Sequence, residues 1–257
     1  MREWASTLGL LDLPSTVLRG LAAGEPIDAL AGLLCRMAEQ AAPGRIASLL
    51  RLEADGLLHP LAVPSGPPEL VSALDGLKPG PHAGSCGNAV LHNAPTFIAD
   101  IPNDARWDDL RGVAQQWNLR SCWSWPVRDG ARVIGSFALP SLEPGAPDDD
   151  ALKLLEFVAS IAGALLHMDM LQRERESAHA LRQAMLDNAL VAIALVGGRT
   201  IRGANARMAE IFGYADATAL EGLPAQALYA SDAEYTALGT EMYAAMARGE
   251  RITRELQ

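Results

Sequence analysis

Lysine is almost missing from this chain: Lys78 and Lys153 are the only two in 257 residues. Arginine carries nearly all the positive charge, and the formal net charge is −10. The nearest approach to a basic run, Arg173-Glu174-Arg175-Glu176, cancels itself. A protein that displaces counterions from phosphates needs a basic patch, so nucleic-acid binding is excluded as an expectation. Aromatic residues make up only 5% of the chain, which leaves Leu, Ala and Val to build the core. Cysteine is scarce too: Cys35, Cys86 and Cys122 are odd in number and far apart, and no C-x-x-C or H-x-x-x-H pair occurs. That pattern supports neither a disulfide framework nor a structural zinc site.

Long apolar runs are also lacking. The N-terminus has no charged-then-apolar leader pattern, because Asp12, Pro14 and Arg19 interrupt the nearest apolar stretch. The best candidate span, Leu154 to Met168, contains Glu156 and is shorter than the roughly 20 residues a bilayer needs. We expect no membrane span and a cytoplasmic protein. Glycine (23) and proline (16) are ordinary in number, which argues against disordered and collagen-like classes.

What is present reads as an α+β chain. Residues 1–25 form a helical lead-in. Ile27, Leu30, Leu34, Met37 and Ala38 recur at helical spacing between Pro26 and Gln40. Two strands, Arg45–Glu53 and Leu57–Val63, flank the turn Ala54-Asp55-Gly56, and Glu69–Leu74 is a short helix. Gly84-Ser85-Cys86-Gly87 opens a helix to His92, Thr96–Ala99 is a strand, and Leu110–Trp117 is helical. Ser121–Val127 and Arg132–Leu139 form a hairpin about Asp129-Gly130. An antiparallel sheet with helices on its faces fits this order.

From Ala151 to Asp187 the chain contains one glycine, Gly163, and no proline. A helix of that length spans roughly 55 Å. Phe157, Ala164, Leu171, Ala178 and Met185 repeat every seven residues, with Leu181 on the same stripe. The stripe suggests a connector that pairs with a second protomer; a helix lying on its own domain is the plainer alternative. Beyond it, Val191–Val196 and Thr200–Ala204 are strands, and Asn205 caps a helix that Gly213 ends. Ala219–Leu228 and Ser231–Arg248 are further helical stretches, the latter with Ser231 and Glu234 in a capping box. Arg251–Gln257 begins another strand.

Residues 26–168 resemble a GAF domain of bacterial signalling proteins. The likeness rests on Pro43-Gly44, Ala73–Leu77, Gly84–Ala89, Ile98–Ile101, Trp107, Leu119–Ser124, Gly135–Ala138 and Glu143-Pro144 in that order. Residues 183–257 resemble the first part of a PAS domain, through Leu186–Asn188, Ala192–Val196, Ile201–Asn205, Phe212–Tyr214 and Leu228–Asp232; the family's last strands are not in this sequence. The resemblance implies a GAF antiparallel sheet flanked by helices, a long connector helix (151–187) and an incomplete PAS fold. It further implies a sensory input module whose output is a histidine kinase or a cyclic-di-GMP (GGDEF or EAL) enzyme, with no catalytic residues of its own here.

Cys86 and Cys122 are the foremost site candidates. A thiol at a helix N-terminus has a lowered pKa, so a redox or ligand-sensing pair is one reading; two small buried side chains is the other. Gly84-Ser85-Cys86-Gly87 also resembles the G-x-C-G motif of free methionine-sulfoxide reductases, which are GAF proteins. The second cysteine motif of those enzymes is absent from Ile101–Leu119, and Ser121–Pro126 contains no Glu. A thiol reductase and a purely dimerising module therefore remain as alternatives. Further ligand-binding candidates are His82, Ser85, Asp100, Trp107, Arg120, Trp123 and Trp125. His82 and His92 are conceivable haem or metal ligands; Asp100 and Arg120 suggest an ion pair. Alternation sends Cys122, Ser124 and Pro126 to one face, and Ser121, Trp123 and Trp125 to the other. No cofactor is assigned: no Cys-His dipeptide for a bilin and no N-K-F-D-E pattern for cyclic GMP occurs. The expected partners are a second copy, through the 151–187 helix, and an unidentified small ligand.

Overall fold

The computed structural model describes residues 7–249. They divide into two units, with the boundary between Arg173 and Glu174. In the first, α1 (Thr7–Ala22) and α2 (Ile27–Ala41) lead into β1 (Ser48–Leu52) and β2 (Leu58–Ala62). Short helices α3 (Pro68–Leu74), α4 (Gly84–His92) and α5 (Arg111–Gln116) alternate with β3 (Thr96–Ile98) and two 3-10 turns at Ile101–Asn103 and Ala105–Leu110. The hairpin β4 (Ser121–Asp129) and β5 (Arg132–Ser141) follows, then α6 (Asp149–Asp187). The strands form one antiparallel sheet in the order β2-β1-β5-β4-β3.

Pleating divides the side chains between two cores. Leu49, Trp123, Val127, Phe137 and Leu139 meet α2 and α6 on one face. Leu50, Cys122 and Ala138, their immediate neighbours in sequence, meet α3, α4 and α5 on the other. α6 supplies Leu155, Val158, Ala159, Ile161, Ala162, Leu165 and Leu166 to the first core, a stripe at helical spacing. Gly163 lets it approach the sheet: a Cβ there would lie 2.4 Å from the Arg128 carbonyl oxygen. Arg51 on β1 then ties Asp169 at 2.8 Å. α6 is the one helix among the described residues long and apolar enough to cross a bilayer, and its apolar half is packed on the sheet. Beyond Met170 its side chains are mostly exposed, Leu171, Leu181 and Met185 among them.

In the second unit, β6 (Ala194–Gly197) and β7 (Thr200–Ala204) form a hairpin, followed by α7 (Ala206–Phe212) and α8 (Asp232–Ala247). Asn205 organises this region. Its Oδ1 accepts from the N–H groups of Met208 (3.0 Å) and Ile193 (2.9 Å), and its Nδ2 donates to the carbonyls of Leu186 (2.9 Å) and Val191 (3.0 Å). Gly213 ends α7 at φ 73°, and Ser231 Oγ accepts from the Glu234 N–H at the start of α8.

Two sequence expectations change here. The strand expected from Val191 begins at Ala194, because Asn205 occupies the backbone of Val191 and Ile193. The helix expected over Ala219–Leu228 is two 3-10 turns, Thr218–Leu220 and Ala225–Leu228, interrupted by Gly222 at φ 81° and by Pro224. The strand expected from Arg251 lies outside the described residues.

Candidate functional site

The α4 face of the sheet encloses a small cavity. Gly84 enters α4 at φ 66°, and a Cβ there would press on Leu110 (3.0 Å) and on the six-membered ring of the Trp107 indole (3.4 Å). Glycine therefore lets the 3-10 turn Ala105–Leu110 close directly over the start of α4. Asp104 holds that turn, accepting from the N–H of Arg106 at 2.9 Å and pairing with its guanidinium at 2.6 Å. Beneath Trp107 lies a cavity of about 20 Å³, lined by Ser48, Leu70, Ser85, Cys86, Leu110 and Cys122 among others. That is room for one water-sized body. No charged side chain lines it.

The buried polar atoms on this face of the sheet are incompletely matched. Cys86 Sγ lies 3.5 Å from Ser124 Oγ. Ser85 is fully buried and Trp107 nearly so, yet neither Ser85 Oγ nor Trp107 Nε1 meets a hydrogen-bond partner. Ser136 Oγ is likewise unmatched. Ser85 approaches the Cys122 thiol and Ser136 that of Cys86 closely enough to favour the thiolates weakly, without good hydrogen-bond geometry. No side chain caps the N-terminus of α4.

Burial outweighs any lowering of thiol pKa by the helix end. It pushes Cys86 up, and pushes Cys122, with the neighbouring Cys86 adding to the effect, up to about 12. The lowered pKa expected for Cys86 is thus reversed. All three cysteines are buried and free, and Cys35, on the buried side of α2, is also raised to about 12 by burial.

The structure gathers Ser85, Cys86, Trp107 and Cys122 around one cavity and disperses the other candidates. Trp123 and Trp125 lie on the opposite face of the sheet, as the alternation requires. Trp123 Nε1 donates to the Gly145 carbonyl at 2.8 Å, and the Arg45 guanidinium stacks 3.0 Å above its ring. Trp125 sits by Phe97, with ring centroids 6.3 Å apart. His82 points outward, its Nδ1 2.8 Å from the Ala105 carbonyl. Asp100 and Arg120 approach to 3.9 Å at the surface, while Asn103 donates to Asp100 at 2.6 Å. They and the two tryptophans of β4 are absent from the cavity wall. Among the described residues no group of three His, Cys, Asp or Glu side chains stands ready for a metal ion. Sequence reasoning missed Ser124, Ser136 and Leu110. Ser124 is detectable by the alternation that places it beside Cys122; the other two need the tertiary fold.

Comparison with known proteins agrees with this architecture. The GAF domain family profile matches residues 24–167, more than half of the chain, and a PAS domain profile matches residues 181–243. The methyl sulfide methyltransferase-associated sensor of Methanosarcina acetivorans is 27% identical over 175 residues, which cover 67% of this chain and 17% of that relative's length. The GAF domain of a phosphoenolpyruvate-protein phosphotransferase from Coxiella burnetii superposes with a TM-score of 0.52 at 17% identity, covering 66% of this chain and 98% of that one. Free methionine-R-sulfoxide reductase from Neisseria meningitidis, in complex with its substrate, gives 0.51 at 18% identity, covering 63% and 89%. At such identities the likeness speaks for the fold alone. With its helix-covered antiparallel sheet and a profile match spanning that whole sheet, the chain belongs to the GAF domain family.

Proposed function

We propose that this chain is a cytoplasmic, non-catalytic input module of a signalling protein. In this reading the GAF domain senses a small ligand on the α4 face of its sheet. α6 relays the change, within a homodimer, toward the PAS-like region and an output such as a histidine kinase or a cyclic-di-GMP enzyme. One observation carries the reading. α6 is a single helix whose first half is core of the sensor sheet and whose second half, Leu171 to Met185, leaves apolar side chains exposed along a polar surface. A solitary polar helix segment has little to hold it, and a partner helix would supply that support. Raised thiol pKa values argue against the reductase alternative, because the thiolate is the nucleophile, and against thiol redox as the signal. Oxidative cross-linking of a Leu171→Cys variant tests the relay. A covalent dimer supports it; a strict monomer by light scattering at high concentration overturns it.

A further inference from the structure

The cavity beneath Trp107 admits one water-sized body, so the room for a ligand on the α4 face lies elsewhere. Between the 3-10 turn Ile101–Asn103 and α5 a cleft of about 210 Å³ opens to solvent. Its apolar floor is Ile101, Ala114 and Leu119, buried members of the α4-face core. The rest of its wall is rich in donors: Arg111, Gln115, Asn118 and Arg120. Local structure puts them there. Asn118, at φ 51°, turns the chain from the end of α5 toward β4. The Arg111 guanidinium is held by the Pro102 carbonyl at 2.6 Å and pairs with Asp108. Among the described residues no carboxylate lines the cleft.

Arg120 is the under-matched member of this wall. The acid it faces, Asp100, stays 3.9 Å away, beyond hydrogen-bonding distance, and turns its Oδ2 to Asn103 at 2.6 Å. Asp100 Oδ1 and Arg120 Nε are each buried without a hydrogen-bond partner. We propose that the cleft binds a monoanionic carboxylate with a short apolar chain, its carboxylate on Arg120 and its chain over Ile101, Ala114 and Leu119. This inference rests on the reading of the α4 face as sensory and specifies its ligand class. Charge balance selects a single negative charge: Asp108 already offsets Arg111, which leaves one guanidinium with attraction to spare. The planar fork of a guanidinium suits a carboxylate, and the Gln115 and Asn118 amides add donors without adding charge. A phosphate dianion would exceed the charge on offer, and any inorganic anion would leave the apolar floor uncovered. Both guanidiniums are partly exposed, so the affinity is modest, roughly millimolar.

Butyrate and butyramide make a matched pair of probes, alike in shape, one anionic and one neutral. The full chain, labelled with 15N, is titrated with each, and with inorganic phosphate, at constant ionic strength. Butyrate should shift the backbone amides of Gln115, Asn118 and Arg120 saturably, and butyramide should not. Arg120→Gln, a change at a partly exposed side chain, should weaken butyrate binding at least about tenfold, the value of a charge-assisted hydrogen bond. Arg120→Lys should restore part of the loss, since it returns the charge without the fork. Asp100→Asn, which removes the competing carboxylate, should tighten binding about two- to fivefold; a merely structural Asp100–Arg120 pair would show no such gain. Equal shifts with butyramide overturn the anionic class, and saturation by phosphate at lower concentration than butyrate overturns the carboxylate. A butyrate shift unchanged in Arg120→Gln, or silence with all three probes, overturns the site and leaves the sensory reading to its own cross-linking test. Saturable binding that leaves the Leu171→Cys cross-linking yield unaltered keeps the site and removes the sensory reading.

Discussion

The two faces of the GAF sheet are built from the same strands and close differently. On the α6 face, large apolar side chains interlock, and the one indole buried there has its N–H bonded to the Gly145 carbonyl. On the α4 face, small and polar residues (Ser48, Cys122, Ser124, Ser136) occupy the pleats, a cavity remains, and buried hydroxyl and indole groups lack partners. Close packing stabilises the first face. The second carries buried hydroxyl and indole groups without a matched partner, at a cost to stability. The difference arises within strands, one residue apart: Phe137 faces α6, while Ser136 and Ala138 face α4.

Truncation should separate the faces most sharply. Phe137→Ala removes a fully buried ring from the tight face and should cost about 3–5 kcal/mol in urea unfolding. Cys86→Ala, beside an existing cavity, should cost under about 1 kcal/mol. Equal losses would erase the distinction. Next in size is Gly163→Ala, whose new Cβ would lie 2.4 Å from a backbone oxygen of β4. α6 must shift outward, for about 1–3 kcal/mol, and because the shift acts on the connector, Leu171→Cys cross-linking should change with it.

Alkaline pH tests what the faces share. Cys35 on the α6 face and Cys122 on the α4 face are both lifted by burial to about 12, from an ordinary value near 9. A group whose folded pKa is raised contributes stability that is fully present below the unfolded pKa and is lost as pH rises through the folded one. The urea midpoint should therefore fall from about pH 9 upward, and Cys122→Ala and Cys35→Ala should each flatten that fall. A midpoint that rises with pH would contradict the assignment.

Much of the contrast between faces was readable from alternation. Counting by twos along Ser121–Val127 separates Cys122 from Trp123 and Trp125, and the structure keeps them apart. The glycine of the long helix was visible too, but its reason, the Arg128 carbonyl, lies 35 residues away in sequence. Arg45 over Trp123 and the meeting of Ser85 and Trp107 at one cavity are equally non-local, so no spacing announces them. The helix expected over Ala219–Leu228 failed on local chemistry that apolar spacing hides, namely Gly222 and Pro224. The direction of the Cys86 shift failed because a helix end is legible in sequence and the depth of burial is not.

The finest test compares indoles and hydroxyls whose loss should have opposite consequences on the two faces. Trp123→Phe removes the bond to Gly145 and much of the Arg45 stacking, and should destabilise the chain by about 1–2 kcal/mol. Trp107→Phe removes an N–H that bonds to nothing. Its loss of packing area should be offset by relief of an unmatched donor, leaving unfolding within about 0.5 kcal/mol of the parent. Ser85→Ala carries the argument furthest, since the change subtracts one oxygen and leaves the packing alone. On the tight face such a deletion breaks a bond; here it removes a desolvated group with no partner, so stability should hold or rise by up to about 1 kcal/mol. A loss above that size would mean that the Ser85 hydroxyl already has its partner in the unliganded protein, and the α4 face would then be as fully satisfied as its opposite.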